Sequence, residues 1–523
     1  MDQEFGVTRR GFVAGGLAAG LMIGTSARAA SEPIAKTING PVRGKRAGET
    51  FVFKGIRYGA DTRQHRFQPP VKPAAWSKPA DALAYGPASP QSGRGEQGEQ
   101  MSEDCLFLNV WTPALRDGRK RAVMVYIHGG AYSHGSGSSP LYDGTRLSVR
   151  GDVVVVTLNH RLAAFGYLFL GDRFPASGNA GTLDLVLALE WVRDNIAEFG
   201  GDPNRVMLFG QSGGGAKIAT LMATPAAKGL FHAAATMSGQ QVTASGPMNA
   251  AKRTRVYLDA LGVGPEGLAD LSTDALVAAM KTADPVIGAG GLYFGPVFDR
   301  VVLFRHPFYP DAPAQSALIP MMIGNTHDET RLLIGGSDPK TFALSWEELP
   351  ARLAAEMRVD ISPDYVVAEY RRLYPSYSPS DVFFSATTAG RSWRAAIIEA
   401  ELRAAQGAPA FVYQVDWPSP TDGGKWRAPH TIDIALAFDT VAAPGAIAGN
   451  SPESQHMADL MSEAFIAFAK TGSPQTAALP SWARYGLPER QTMVFDSQPR
   501  MENDPRGAER RLFAAVPFIQ QGT

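Results

Sequence analysis

The stretch Gly201 to Ala223, GDPNRVMLFGQSGGGAKIATLMA, decides how the rest of the chain is organised. Arg205 to Phe209 predicts a short buried strand, and Gly213 to Ala223 predicts a helix of small and apolar residues. Ser212 lies on the turn between them, inside the pattern G-x-S-x-G. A serine on so sharp a turn has a strained backbone, and the two glycines of the pattern relieve the crowding on either side. The stretch therefore predicts a nucleophile elbow, with the serine hydroxyl exposed at a helix N-terminus.

A phosphate-binding loop is the alternative interpretation of the same glycines. Gly210 and Gly215 have the required spacing, but Ala216 stands where the phosphate-binding lysine should follow. Lys217 stands where that motif needs a serine or threonine. The phosphate-binding interpretation is therefore rejected.

The composition describes a large protein with balanced charge. Of 523 residues 45% are apolar and 19% are charged, with 50 basic residues against 50 acidic ones. The chain is long enough for a large buried core, and the even balance gives no electrostatic reason to expect a nucleic acid or an anionic membrane as a partner. Cys105 is the single cysteine, so no intrachain disulfide is expected.

The first 30 residues differ from the rest and predict a twin-arginine export signal. Thr8 to Val13, TRRGFV, is a twin-arginine pattern, and the uncharged run Gly11 to Gly24 follows it. Ala27 to Ala29 is a small-x-small cleavage site. No other stretch approaches the ~20 apolar residues of a membrane span. We expect export by the twin-arginine route to the periplasm or the medium, without a stable membrane span. The sequence leaves open whether the signal is removed or kept as an anchor.

Residues 31–523 predict a single domain of the α/β class. Apolar runs such as Val153 to Val156 indicate strands that are covered on both faces. Alternation of strands with helices predicts a mostly parallel sheet flanked by helices, with loop and helix insertions. The predicted strands are Thr50 to Lys54, Leu106 to Thr112, Ala122 to His128, Val153 to Asn159, Arg205 to Phe209, Leu318 to Gly324 and Ala410 to Asp416, and the clearest further helices are Gly181 to Phe199 and Glu453 to Thr471.

A second functional segment ends the predicted strand at residues 123–127. His128-Gly129-Gly130-Ala131 follows this strand upstream of the serine. Small residues there let the main chain turn its N–H groups toward a substrate carbonyl oxygen. We interpret the segment as an oxyanion loop rather than as a simple glycine turn.

The general base can be selected by elimination among the histidines that follow the elbow. In hydrolases with this elbow the order along the chain is Ser, then Asp or Glu, then His. His430 lies in a long Gly/Pro loop after a predicted strand, the usual place for catalytic groups. The acid should end a strand between the two, where Asp328 and Glu329 both qualify and spacing alone does not choose. The histidines rejected as the base are His232, His306, His327 and His456.

A metal site at His327, Asp328 and Glu329 is a further interpretation that we reject. Adjacent side chains diverge, and no His-x-x-x-His pattern or cysteine pair supplies other ligands. No metal and no cofactor is therefore expected.

From about residue 35 to about residue 500 the chain resembles the type-B carboxylesterase family, the cholinesterase-like branch of the α/β-hydrolases. The resemblance implies an α/β-hydrolase fold in which insertions form an active-site gorge. It rests on several motifs in order along the chain: Phe53 to Tyr58, Glu103 to Val110, the His-Gly-Gly-Ala strand end, Gly178 to Gly181, Trp191 to Ile196, Phe199 to Asn204 and the elbow.

The resemblance also implies roles for individual residues. The family segment Gly-x-x-x-Asp-Glu-Gly uses its glutamate, which falls on Glu329, and the segment His-x-x-Glu supports His430. The remaining implied roles are oxyanion donors at the N–H groups of Gly130, Ala131 and Gly213, and support of the triad by Ser238 and Asp433.

Several positions depart from the family pattern without removing a member of the triad. Ser89 stands where the family has the disulfide partner of Cys105, so that disulfide should be absent. The other departures are Gly213 for the usual alanine, Ala131 for a frequent third glycine, Thr330 for the glycine after the acid, and Asp433 for the usual glutamate.

The sequence therefore predicts a serine esterase with the triad Ser212, His430 and Glu329, acting on a small-molecule ester through an acyl-enzyme. The resemblance implies room for bulky, even tertiary, alcohol esters. Alternatives are a catalytically silent binding member of the fold, which usually lacks a triad residue, and the same triad acting on amides, lactones or polyesters.

The segment Tyr132 to Asp143 is expected to help build the substrate pockets. Trp417 and Trp426 either line these pockets or pack elsewhere. The sequence leaves the oligomeric state open.

Overall fold

The computed structural model of this protein describes residues 32–92, 98–288, 290–357, 359–520 and 522–523. The residues from Pro33 to Thr523 form one compact unit, to which all the elements given below belong. The predicted export signal, residues 1–30, lies outside the described residues.

A large mixed sheet is the centre of this unit. Its strands run in the order β14-β13-β12-β11-β10-β9-β7-β8-β6-β4-β3, and β1, β2 and β5 form a separate small sheet. The strands of the described residues are β1 (Ile34–Thr37), β2 (Gly40–Arg43), β3 (Lys45–Ala47), β4 (Thr50–Arg57), β5 (Ala80–Asp81), β6 (Phe107–Thr112), β7 (Arg121–Ile127), β8 (Val154–Leu158), β9 (Gly201–Gln211), β10 (Ala233–Met237), β11 (Met321–Thr326), β12 (Ala410–Val415), β13 (Gln491–Phe495) and β14 (Arg500–Asn503).

Neighbouring strands from β13 to β8 pair in parallel, and the pairs at both ends of the sheet are antiparallel. This confirms the predicted α/β class with a mostly parallel sheet. Each predicted strand appears with its bounds shifted by a few residues, most of all β9, which begins at Gly201. Strand β10, Ala-Ala-Ala-Thr-Met, is not among the predicted strands, because alanine has little strand propensity. Its position between β9 and β11 makes it a strand.

Helices cover both faces of the sheet. The described α-helices are α1 (Thr145–Gly151), α2 (Ala163–Tyr167), α3 (Ala180–Asn195), α4 (Gly213–Ala223), α5 (Pro247–Leu261), α6 (Thr273–Ala279), α7 (Glu329–Leu333), α8 (Leu349–Glu356), α9 (Pro363–Leu373), α10 (Pro379–Thr388), α11 (Arg394–Ala405), α12 (Ile432–Phe438), α13 (Pro452–Thr471) and α14 (Gly507–Ala514), with a π-helical turn at Ala389–Trp393. None of the helices in these described ranges has the length and apolar character needed to cross a membrane.

Alternate side chains of the central strands enter two separate cores, as the period of a strand requires. Val123 and Val125 of β7 pack with the apolar residues of α3 and α4 on one face. Met124 and Tyr126 of the same strand pack with α12 and α13 on the other face. The doubly covered sheet leaves the carboxyl ends of its parallel strands as the place where loops can build a site, the usual position in open α/β sheets.

Candidate active site

Ser212 occupies the turn between β9 and α4 that the sequence predicts. Its backbone has φ 56° and ψ −126°, a conformation that costs about 1–3 kcal/mol for a residue other than glycine. The turn is held by the Ser212 N–H, which donates to the Met237 carbonyl of β10 at 2.7 Å. A Cβ at Gly214 would lie 2.0 Å from the Ile127 carbonyl oxygen, and one at Gly210 would lie 2.8 Å from Gly214. Glycine is therefore required on both sides of the serine.

The segment after β7 passes close beside the elbow. Gly130 has φ 78° and Ala131 has φ 52°, so this oxyanion loop turns through the left-handed region at two successive residues. A Cβ on Gly213 would lie 2.0 Å from the Ala131 carbonyl oxygen. In the described part of the chain, the backbone N–H groups of Gly130, Ala131 and Gly213 donate to no other residue. These three donors are available to a ligand oxygen beside Ser212.

His430 and Glu329 meet at the carboxyl ends of β12 and β11. Glu329 is fully buried, and its Oε2 is in close hydrogen-bond contact with His430 Nδ1. Its Oε1 accepts from the backbone N–H of Thr326 at 2.9 Å and from the Asn325 amide at 3.3 Å. Burial acts to raise the pKa of Glu329, but the charge of His430 and these hydrogen bonds outweigh it, and the pKa is lowered overall. Because a carboxylate only accepts, Nδ1 carries a ring proton, and in the neutral imidazole Nε2 is then the acceptor.

The neighbouring Asp328 faces a different set of partners. It contacts His327 at 3.3 Å and Arg331 at 3.2 Å, and it accepts from the backbone N–H of Ala428 at 3.4 Å. Burial acts to raise the pKa of Asp328, but the hydrogen bond and charge of His327 and the nearby arginines lower it to about 2. The geometry thus separates two acids that spacing alone left equivalent: Asp328 braces the loop that carries His430, and Glu329 contacts the imidazole itself.

Ser238 and Asp433, the two residues implied to support the triad, are both buried beside it. Ser238 has φ 50° and helps to lower the pKa of Glu329, although its Oγ forms no hydrogen bond of ordinary geometry with the described residues. Asp433 accepts from the Tyr413 hydroxyl at 3.1 Å and does not hydrogen-bond His430. Burial, followed by the charge of Glu329, raises the pKa of Asp433 to about 7. Asp433 therefore lies within electrostatic reach of the pair without a hydrogen bond to His430.

Gln211, the residue before the serine, reaches the imidazole. Its amide nitrogen lies 3.1 Å from His430 Nε2 and 3.4 Å from Nδ1, so the amide sits beside the ring. The Ser212 hydroxyl, by contrast, makes no hydrogen bond within the described residues. Hydrogen bonds between a nucleophile and its base are often long in structures without substrate and tighten when substrate binds.

A cavity of about 950 Å³ opens over these groups, near the upper end of the usual range for a small-molecule site. Part of its wall comes from Tyr132, His134 and Ser139 to Tyr142, in agreement with the role expected for Tyr132 to Asp143. Trp417 packs instead in the core against α12 and α13, and Trp426 packs against Phe342. The predicted site residues on the cavity wall are Gly130, Ala131, Ser212, Gly213, Ser238 and His430.

The sequence gives no signal for a second part of the cavity wall. We call this part the far wall, and it consists of Leu332, Leu333, Arg391, Ser392 and Gln520. Arg391 and Ser392 belong to the π-helical turn, and turns of this kind are frequent at functional sites. Such a turn leaves no trace in a helical hydrophobic pattern. No local motif marks these five positions.

The departures from the family pattern have local structural consequences. Cys105 is a buried free thiol, and Ser89 lies close enough to hydrogen-bond it. Thr330, in place of a glycine, donates to the Phe384 carbonyl at 2.8 Å and so ties the acid segment to α10. Within the residues that the structure describes, no three His, Cys, Asp or Glu side chains are grouped as metal ligands.

Comparisons with known proteins find a family and relatives that match nearly the whole chain. The profile of the Carboxylesterase family matches residues 31–513. The chain is 35% identical to para-nitrobenzyl esterase of Bacillus subtilis (strain 168) over 496 residues, 91% of this chain and 98% of that protein. It is 31% identical to phenmedipham hydrolase of Pseudarthrobacter oxydans over 493 residues, 90% of this chain and 96% of that protein. A crystal structure of a carboxylesterase from Geobacillus stearothermophilus at pH 6.2 superposes with a TM-score of 0.82 at 36% identity, covering 92% of this chain and 99% of that one.

The parallel sheet and the elbow at the carboxyl end of β9 define an α/β-hydrolase, a fold that the solved neighbours share. The chain belongs to the carboxylesterase family, and it is a carboxylic ester hydrolase. The expected resemblance, fold and enzyme class are thereby confirmed.

Proposed function

We propose that Ser212 is the nucleophile of this esterase, with His430 as its general base and Glu329 as the residue that orients the imidazole. The observation that carries the proposal is the arrangement on one cavity of a strained elbow serine and three unpaired N–H groups, with the imidazole held from behind by a buried carboxylate. Each part has a role in acyl transfer, and together they make the full set that the reaction needs.

The steps follow from the geometry. As substrate enters, His430 Nε2 exchanges the Gln211 amide for the Ser212 hydroxyl and takes its proton while Oγ attacks the ester carbonyl. The negative charge on the carbonyl oxygen develops toward the N–H groups of the oxyanion loop and Gly213. His430 then protonates the leaving alkoxide, and a water molecule activated by the same base releases the acid. Ser238 and Asp433 support the pair formed by His430 and Glu329.

The test is hydrolysis of short and medium p-nitrophenyl esters by the wild type and by Ser212→Ala. We expect the variant to lose a factor on the order of 10⁴ to 10⁶ in kcat, the scale for loss of a nucleophile. Ser139→Ala is the matched control, because this hydroxyl lines the same cavity but lies off the elbow. Equal activity of Ser212→Ala and the wild type would refute the assignment of the nucleophile.

The proposal includes esters of bulky and tertiary alcohols as substrates. Two observations support it: the oxyanion loop consists of small residues, and the cavity has a volume of about 950 Å³. The experiment compares tert-butyl acetate with ethyl acetate, with an amide, a lactone and a polyester in the same panel. Ready turnover of the ethyl ester without turnover of the tertiary one would contradict this part of the proposal.

The proposal also includes export by the twin-arginine route to the periplasm or the medium. It rests on the residues alone: Arg9 and Arg10, the apolar run after them, and the small residues at Ala27 and Ala29. The measurement is the distribution of esterase activity between cell fractions for the wild type and for a variant with both arginines replaced by lysine. Identical distributions in the two strains would count against this route.

A further inference from the structure

Lys217 is a buried charged residue for which the proposed reaction has no use. It lies on α4, five residues after Ser212, and only 1% of its surface is exposed. No carboxylate of the described residues pairs with its ammonium group, and its hydrogen bond is to the carbonyl oxygen of His128, at 3.0 Å. An ammonium buried without a counter-ion is costly, and burial lowers the pKa of Lys217 to about 7.

The position of that carbonyl explains why the hydrogen bond matters. His128 follows β7 directly, and the next three residues are the oxyanion loop, Gly129 to Ala131. The N–H groups of Gly130 and Ala131 have no partner in the described chain, so this loop lacks the ladder bonds that fix a strand. Its far end is held through Tyr132, whose carbonyl accepts from Ala163 at 2.7 Å. At the near end, Ile127 pairs with Gly210 of β9, and Lys217 holds the next residue, His128, by its carbonyl.

The surroundings of the ammonium are neutral bases and aromatic rings. The rings of His128 and His160 stack with their centroids 5.0 Å apart, and each Nδ1 donates to a backbone carbonyl at 2.9 Å. Burial first, and then the charge of Lys217, lowers the pKa of both rings and of His134. The Tyr132 ring centroid lies 5.6 Å from Nζ and offers the cation a π face. One hydrogen bond and one aromatic face do not replace the hydration of a buried ammonium, so we expect an apolar side chain at this position to be at least as stable.

We propose that Lys217 is a positioning residue that fixes the oxyanion loop against α4 through the His128 carbonyl. Because α4 begins directly after Ser212, this hydrogen bond helps to set the loop's N–H groups relative to the nucleophile, together with the β7–β9 pairing and the Tyr132 carbonyl. The inference rests on the proposed function of that loop. A serine esterase loses rate when its oxyanion donors shift by a fraction of an ångström to an ångström, even though substrate still binds.

The test is Lys217→Met, which keeps the length and apolar stem of the side chain but has no donor. We expect kcat for a p-nitrophenyl ester to fall about 10- to 100-fold with KM within about twofold. Affinity for a trifluoromethyl ketone, which forms a tetrahedral adduct on the serine, should fall by a similar factor. The melting temperature should be unchanged or higher than that of the wild type.

The pH dependence of stability gives a separate readout. The folded-state pKa of Lys217 is lowered, so between about pH 7 and pH 10 the unfolded wild type binds a proton that the folded wild type does not. Wild-type stability therefore gains from this group as pH rises through that window. The advantage of Lys217→Met should be largest below pH 7 and should shrink toward pH 10.

Thr224→Val is the matched control, since Thr224 is buried at the end of α4 and its hydroxyl bonds only the Thr220 carbonyl of the same helix. Unchanged kcat in Lys217→Met, or a loss of activity together with a lower melting temperature, would overturn the inference. If Lys217→Met does not fold, Lys217→Leu, which also has no donor, carries the same kinetic test. Wild-type inactivity toward every ester would instead refute the proposed function.

Discussion

Two parts of the cavity wall are built in different ways. The near wall, made of the elbow, the oxyanion loop and the segment that carries His430, follows the carboxyl ends of parallel strands, and its His430 side chain is buried. The far wall joins the end of α7, a π-helical turn and the last residues of the sequence, and its members are partly exposed, with Leu333 at 47%. The near wall supplies the reacting groups, whereas the far wall supplies the shape of the cavity.

This difference indicates that the near wall carries out the reaction and that the far wall selects among substrates. A reaction centre must be positioned within a fraction of an ångström, which a strand end inside a doubly covered sheet provides. Selection among substrates needs only a surface of suitable size, which loops and irregular turns supply. Changes in the near wall should therefore affect all esters alike, and changes in the far wall should affect some esters more than others.

Among substitutions that leave the nucleophile in place, the largest effect is expected from Glu329→Gln. The amide keeps the shape but removes the charge that holds the Nδ1–H tautomer of His430 and stabilises its imidazolium. We expect kcat to fall about 10²- to 10⁴-fold, measured with any p-nitrophenyl ester that the wild type hydrolyses.

Asp328→Asn is the control next in the sequence. It removes an ion pair with Arg331 and weakens the brace on the His430 loop, so we expect a stability loss of about 1–3 kcal/mol and less than a tenfold change in kcat. If the two variants lost kcat equally, the division of roles between the adjacent acids would be wrong.

Gly213→Ala should have the next largest effect, because its Cβ would meet the Ala131 carbonyl oxygen at 2.0 Å. The oxyanion loop must move away, and kcat should fall about 10- to 100-fold for small and bulky esters alike. Adding Ala131→Gly gives that backbone more freedom and should restore part of the loss. A double-mutant cycle would measure this coupling, and strictly additive losses would show that the two residues do not adapt to each other.

The near wall was predictable from the sequence because each of its groups belongs to a short motif beside a strand. Ser212 has its glycines, and Gly130 and Ala131 follow an apolar run. The choice of Glu329 over Asp328 needed the family resemblance, since spacing carries no information about which of two adjacent side chains turns inward. The structure adds the contact that distinguishes them.

The far wall could not be predicted for a physical reason. Leu333, Arg391 and Gln520 meet only after the chain has folded, and none of them is part of a periodic pattern. The strand β10 was missed for a related reason, because its alanines become a strand through pairing with β9 and β11 rather than through their own propensity.

Asp433→Asn tests how much a buried charge beside the near wall contributes to the catalytic rate. Below about pH 7 the wild-type carboxyl is protonated, and the variant should match its activity. Above that pH the wild type has an additional negative charge that stabilises the imidazolium, so kcat of the variant should be about two- to tenfold lower at pH 8.5. A ratio of the two rates that stays constant from pH 6 to pH 9 would refute this role.

The same substitution, Asp433→Asn, should raise the stability of the protein at the pH where it lowers kcat. The folded-state pKa of Asp433 is raised, so between about pH 4 and pH 7 the folded protein holds a proton that the unfolded chain has lost. This contribution to wild-type stability is lost as pH rises through the window. Asp433→Asn should therefore melt at a higher temperature than the wild type at pH 8, and the difference should shrink toward pH 4.

The smallest effect is expected from Gln520→Ala in the far wall, and it should depend on the substrate. The Gln520 side chain accepts from the Val242 N–H at 2.9 Å, and its amide lies 3.5 Å from the Gln240 carbonyl, which keeps it against the cavity. Truncation enlarges the cavity without touching the triad, so kcat/KM for a bulky ester should change about two- to tenfold while that for p-nitrophenyl acetate stays the same.

Ile519→Ala is the matched control, because this neighbouring side chain is 54% exposed and off the cavity wall. Equal changes for small and bulky esters would mean that Gln520 affects the reaction centre. The separate roles of the two walls would then be wrong.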